Sequence, residues 1–249
     1  MAPRTNDPLI YRHRLPTRLW HWINALCLYV LFTSGLGIFN AHPRLYWGEY
    51  GANFDPAWLE LSRFPGWLTL PSWYSLALSR HWHLLTAPIF IFALLLYMMT
   101  SLANGHFRRD IAFRREELRP AHIWQDIKDH ARLRFPKGAA AMRYNVLQKG
   151  VYAKIIFLFL PVMILTGLAM SPGMDAAWPW LTQIWGGRQT ARSVHFIAAW
   201  CLVALVAVHL LALLLAGPLG HIRAMITGWY RVPPARLDDT REKAGEKAA

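Results

Sequence analysis

Between residues 194 and 216 the chain runs for 23 positions without one Asp, Glu, Lys or Arg. Inside a bilayer no water is available to satisfy the backbone, so a run of this length and composition has one outcome: a membrane-spanning helix. Three further stretches, at about 19–39, 82–103 and 152–171, reach the roughly 20 residues needed to cross hydrocarbon. The first could be mistaken for a secretory signal, but no small-residue cleavage site follows it, and it is read as a retained helix. The expected fold class is therefore all-α and integral to the membrane, a four-transmembrane-helix bundle over residues 1–230. The charged, alanine-rich residues 231–249 are expected to form a disordered tail.

The chain is 55% hydrophobic yet carries a formal net charge of +13, so its apolar and basic residues must be segregated along the sequence. They are. Lysine and arginine number four before the first stretch, three in residues 40–81, eleven in 102–151, two in 172–193 and six after 216. The positive-inside rule then places both termini and the central loop in the cytoplasm and the two lightly charged loops outside, in a bacterial inner membrane. The basic pI is thus a topology signal and membrane lipid a partner, with Arg108-Arg109 and Arg114-Arg115 at anionic headgroups. Nucleic acid is not expected as a partner. The first outer loop is long and aromatic, with Tyr46-Trp47-Gly48-Glu49-Tyr50 and Trp67 to Tyr74, and suits either the headgroup belt or a docked protein. The central loop carries a short amphipathic helix around residues 123–130.

Histidines sit near the ends of three of the four helices: His21 on the first, His81 and His83 on the second, His195 and His209 on the fourth. Fourteen residues of helix rise roughly 21 Å and return to within about 40° of the same face, so His195 and His209 can present imidazoles near opposite membrane surfaces. Matching depths pairs His21 with His209 on the inner side and His83 or His81 with His195 on the outer side. His81 and His83, two apart, face nearly opposite sides, so only one can enter the bundle. Paired axial imidazoles on haem iron leave no open coordination position, which favours electron transfer. The expectation is two b-type haems, non-covalent and bis-histidine. Cys27 and Cys201, the only cysteines, lie in apolar helices, and no CxxCH occurs, so c-type attachment and cysteine-ligated iron–sulfur clusters are excluded.

Arg18-Leu19-Trp20-His21-Trp22, Trp82-His83-Leu84-Leu85-Thr86-Ala87 and the His195/His209 interval resemble the bacterial di-haem cytochrome b group. This includes cytochrome b561 and the cytochrome b subunits of nickel-iron hydrogenase and formate dehydrogenase. The resemblance covers about residues 11–230. Loop sequences such as 101–110, 143–149 and 166–172 look more like thiosulfate-reductase-type cytochrome b subunits. The resemblance implies a four-helix core in which first and last helices share one haem and second and last share the other. Its tryptophan–histidine pattern, with a small residue four positions on, falls on His83 and Ala87, so His83 is chosen and His81 kept as the substitute. Haem propionates need cations at the membrane edge, and Arg18, Arg80 and Arg192 are candidates. Gly35, Gly37 and Gly167 can bring a helix close to a porphyrin or to another helix. Kinks are expected at Pro88 and Pro161.

The expected function is an electron-transfer subunit, not a stand-alone catalyst, relaying electrons between quinone, an exchangeable substrate, and a periplasmic oxidoreductase, with a molybdenum-containing enzyme as the best-fitting partner. The resemblance puts quinone beside the inner haem, where Asn24 and His106 are weak candidates. The alternative is a self-contained enzyme that oxidises a small reductant such as superoxide and reduces quinone. A weaker one is a non-redox anchor or transporter.

Overall fold

The computed structural model describes residues 9–113, 117–132 and 146–231. Arg114, Arg115, the Arg143-Tyr144-Asn145 part of the family-like loop and nearly all of the tail expected at 231–249 lie outside the described residues.

In chain order the elements are β1 (Leu9–Tyr11), α1 (Leu15–Phe39), β2 (Arg44–Leu45), β3 (Leu59–Glu60), α2 (Leu76–Ala103), α3 (Pro120–Ala131), α4 (Val146–Lys154), α5 (Leu160–Ala169), α6 (Pro172–Ala177), α7 (Trp180–Ile184), α8 (Arg188–Ala216), α9 (Pro218–Thr227) and β4 (Trp229–Arg231). Among the described residues, four helical runs are long and apolar enough to cross a membrane: α1, α2, the run Val146–Ala169, and α8. Between 11% and 28% of their most apolar windows is buried within the protein. The remainder, including Leu84, Leu85, Phe92, Leu95 and Leu96 on α2, faces outward, which in water would be a large exposed apolar surface and in lipid costs nothing. The chain is a multi-pass helical membrane protein.

Helices α1, α2 and α8 begin earlier than hydropathy alone indicated. Helix α8 has 29 residues, starting at Arg188, six before the uncharged run. At 1.5 Å per residue that is about 43 Å, the thickness of hydrocarbon plus headgroups, so the basic first turn sits where charge is tolerated. The earlier start of α1 at Leu15 puts His21 in its second turn, and that of α2 at Leu76 puts Arg80 and His81 inside the helix. Pro161 has no N–H to give to the preceding turn, and the chain accommodates it with a π-helical turn at Ile155–Phe159, where the Leu160 N–H reaches back five residues to the Ile155 carbonyl. Pro88 sits inside α2, which is helical on both sides of it.

The chain forms two compact units. One comprises residues 19–100 and 153–209. Its core joins all four spans: Cys27 of α1, Phe90 and Leu94 of α2, Leu160 of α5 and Leu202 of α8, with Trp20 stacked on Tyr97 at 5.2 Å. Leu202 is seven residues from His195 and seven from His209, so this apolar layer lies midway between them. Gly37 lets α1 close on α2, since a Cβ there would collide with the Ser79 side chain.

The long loop after α1 belongs to the same unit and is tied to the start of α8. Strands β2 and β3 pair antiparallel, Arg44 with Glu60 and Leu45 with Leu59. The Gly48 carbonyl accepts from Gln189 N–H (3.0 Å) and Thr190 N–H (3.1 Å), and Gly48 N–H donates to Thr190 Oγ1 (2.7 Å). A loop carbonyl thus satisfies two of the amide groups that every helix start leaves without an intrahelical partner. Buried Ser193 Oγ donates to Tyr46 O (2.6 Å) and accepts from Trp58 Nε1 (2.9 Å). The junction requires glycine at 187, whose φ is +114° and whose Cβ would strike the Gly48 carbonyl. Gly187→Ala is expected to cost about 1–3 kcal/mol in backbone strain alone. A lower melting temperature in detergent, with faster proteolysis of residues 48–58, would register it.

The second unit is formed by the described residues within 1–18, 101–152 and 210–249. Strands β1 and β4 pair antiparallel with Ile10 opposite Tyr230. Gly228, at φ +89°, closes α9 through its N–H to Ala224 O (2.8 Å), and its own carbonyl accepts from Arg12 N–H (2.8 Å). Lys149 is buried and makes 2.8 Å contacts with both Glu117 carboxylate oxygens. The amphipathic helix expected near 123–130 is α3, with Trp124 exposed beneath the Lys128 ammonium.

Candidate functional site

Four of the five histidines on the membrane-spanning helices meet in two pairs, both within the first unit. The ring centres of His83 and His195 are 6.3 Å apart with planes at 59°. Those of His21 and His209 are 6.5 Å apart at 60°. An imidazole nitrogen binds a first-row metal at about 2.0–2.1 Å and lies about 1.1 Å from its ring centre, so rings facing each other across one metal have centres about 6.3 Å apart. Both pairs have that separation. His81, two residues from His83, is exposed on the other side of α2.

The His83–His195 pair is supported by residues the histidine pattern did not reveal. Ser34 Oγ lies 3.1 Å from His83 Nδ1, and Thr166 Oγ1 lies 2.9 Å from His195 Nδ1. Each hydroxyl also donates to the carbonyl four residues back, Ser34 to Val30 O and Thr166 to Val162 O, both at 2.6 Å. A hydroxyl has one hydrogen, and with that hydrogen on the carbonyl it can only accept from the imidazole. Both rings therefore carry Nδ1–H, leaving the Nε2 lone pair for a metal. Each hydroxyl is followed by a glycine, Ser34-Gly35 and Thr166-Gly167. A Cβ at Gly35 would lie 3.7 Å from His83 Cε1, and one at Gly167 would lie 3.5 Å from His195 Cε1, with no other residue within 4 Å of either. The two glycines therefore let α1 and α5 lie close against the Cε1–Nδ1 edge of each ring, the edge that the neighbouring hydroxyl holds. The hydroxyl-glycine doublet on both α1 and α5 was the available sequence signal.

At the other pair, His21 Nδ1 and Asn24 Oδ1 are buried without hydrogen-bond partners among the described residues. His106, the other quinone candidate, is in the second unit against Phe107. The three expected propionate cations occupy different settings. Arg18 Nη2 donates to the Ile226 carbonyl while its Nε is buried and unpaired. Arg80 is exposed. Arg192 donates to His42 O (2.5 Å) and covers the Phe39 ring at 5.8 Å. Burial, with the Arg192 and Arg44 guanidiniums close by, holds the His42 imidazole below its ordinary pKa. It is thus neutral at pH 7, its Nε2 3.2 Å from the Tyr46 hydroxyl.

Among the described residues, no three or more His, Cys, Asp or Glu side chains gather as a metal site. Each histidine pair offers two ligands, and the remaining equatorial positions of a six-coordinate iron are what a porphyrin brings. The paired rings fit that group.

Comparison with known proteins agrees. Over 232 residues the chain is 26% identical to a protein of Cupriavidus necator named as a Ni/Fe-hydrogenase B-type cytochrome subunit, covering 88% of this chain and 86% of the relative. A protein of the same name from Bradyrhizobium diazoefficiens is 24% identical over 82% of this chain and 78% of its own length. A protein of Azospira oryzae named as the protein-methionine-sulfoxide reductase subunit YedZ1 is 28% identical over 77% of this chain and 84% of its own. Residues 12–228, which contain all four spans and both histidine pairs, match the prokaryotic cytochrome b561 family, and the chain belongs to it: a membrane cytochrome b that serves as an electron-transfer subunit.

Proposed function

We propose that the chain binds two b-type haems, one between His83 and His195 and one between His21 and His209, and relays electrons between the quinone pool and a periplasmic oxidoreductase. The observation carrying this reading is the repetition of one ring separation at two places fourteen residues apart on α8. A bound haem would supply a one-electron redox centre, its iron held by the two imidazoles of each pair. The protein's part is to hold the rings, fix the tautomer at His83 and His195, and fill the interval between the pairs with apolar side chains that exclude water. A reduced-minus-oxidised spectrum of the purified chain, with haem per chain from a pyridine extract, tests this. Two equivalents of b-type haem support the reading, and one or none overturns it.

The charge asymmetry of the loops favours an inner-membrane location with both termini cytoplasmic, which sets the His83–His195 site outside and the His21–His209 site inside. Arg18, Arg80 and Arg192 remain the proposed propionate partners. Quinone is proposed at the inner side, near the buried Oδ1 of Asn24. The relatives are named as subunits of hydrogenase and of a reductase, which supports a redox enzyme as partner; a molybdenum-containing one is our choice. The loop tied to α8 offers it a rigid surface, with Trp47 stacked on Trp58 at 5.1 Å and Tyr50 86% exposed. Replacing Trp47 and Tyr50 together by alanine is expected to weaken copurification of that enzyme at least tenfold, the effect of losing an aromatic anchor. Undiminished recovery would move the docking surface elsewhere.

A further inference from the structure

Both rings of the His83–His195 pair rest on hydroxyls, whereas His21 Nδ1 is buried with no hydrogen-bond partner among the described residues. Ser34 and Thr166 are themselves fully buried, so no competing water reaches these bonds. With its own hydrogen on a backbone carbonyl, each hydroxyl accepts the Nδ1 proton of its ring. An imidazole whose N–H is engaged in this way is more basic and donates more strongly through its other nitrogen. Stronger donation favours ferric over ferrous iron.

We propose that Ser34 and Thr166 are positioning residues that lock His83 and His195 in the Nδ1–H tautomer and lower the reduction potential of the haem they hold. The proposal rests on the bis-histidine reading above. It assigns to one site of the two a tuning device that the other lacks, so the two haems can be adjusted separately on a single shared helix.

The test is potentiometric titration of the full chain in detergent, followed by the haem absorption bands and by the low-spin ferric electron paramagnetic resonance signals. Ser34→Ala and the isosteric Thr166→Val are each expected to raise the potential of one haem while the other holds its wild-type value. A tenfold change in the ratio of ferric to ferrous binding would appear as about 59 mV for one electron. The same haem should move in both variants, and further in the double variant. Ser34→Thr and Thr166→Ser, which keep a hydroxyl, should restore the wild-type potential. Unmoved potentials and resonance signals with haem retained, or a shift of both haems together, would overturn the proposal. So would failure of both hydroxyl-free variants to accumulate whether or not haem is supplied, which would make the hydroxyls determinants of folding. His83→Ala and His195→Ala separate this from the underlying reading. If they keep all the haem, the ligand assignment fails; if they lose haem while the hydroxyl variants are silent, only the tuning role fails.

Discussion

Replacing His195 by alanine is expected to abolish one haem and spare the other, leaving about half the wild-type haem per chain, because iron with one of two axial imidazoles removed loses its hold on that site. The ring is anchored at Nδ1 by Thr166 and faces His83 at 6.3 Å, so no neighbouring side chain is placed to substitute for it. His83→Ala should have the same effect on the same spectral component. His21→Ala and His209→Ala should remove the other. His81→Ala should leave both, since that ring is exposed on the opposite side of α2. The measurement is haem per chain together with the resolved absorption bands of each variant. Loss of haem in His81→Ala but not in His83→Ala would reverse the assignment on the second helix.

A graded series at Gly167 is expected to give the second-largest effect. A Cβ at this position would sit 3.5 Å from His195 Cε1, an ordinary van der Waals distance, so Gly167→Ala should fold and keep haem. The branched side chain of Gly167→Leu would press on the Cε1–Nδ1 edge of His195 and push the ring out of its place between Thr166 and His83. Overpacking typically costs about 1–3 kcal/mol when a site can adjust. A displaced ring no longer faces His83 across one metal, and the expected outcome is complete loss of the His83–His195 haem with the other retained. Gly35→Leu, facing His83 from α1, should behave alike. Full haem occupancy in both leucine variants would show that the glycines serve helix packing alone.

Much of this was legible in the sequence because a bilayer leaves few choices. Four apolar stretches could only be helices, and a fourteen-residue interval on a helix could only bring His195 and His209 to one face. The helix starts were less legible, since hydropathy marks the edge of the hydrocarbon while the backbone goes on hydrogen-bonding into the headgroup region. Leu76 and Arg188 are therefore the true beginnings of α2 and α8. The loop after α1 read as an aromatic surface, and its aromatic character said nothing of Gly48 capping α8 or of Ser193 bridging Tyr46 and Trp58. Those bonds join residues more than a hundred positions apart.

The sequence by itself determined the class of solvent, the number of spans and which residue types could hold a metal, because these follow from local composition and from the 3.6-residue period. Only the tertiary structure decided that His83 and not His81 faces His195, that Ser34 and Thr166 reach the two rings, and that glycines let α1 and α5 lie close against them. The reason is physical. A histidine's chemistry depends on what meets its second nitrogen, and here that partner comes from a different helix, brought to it by packing that no one-dimensional pattern encodes.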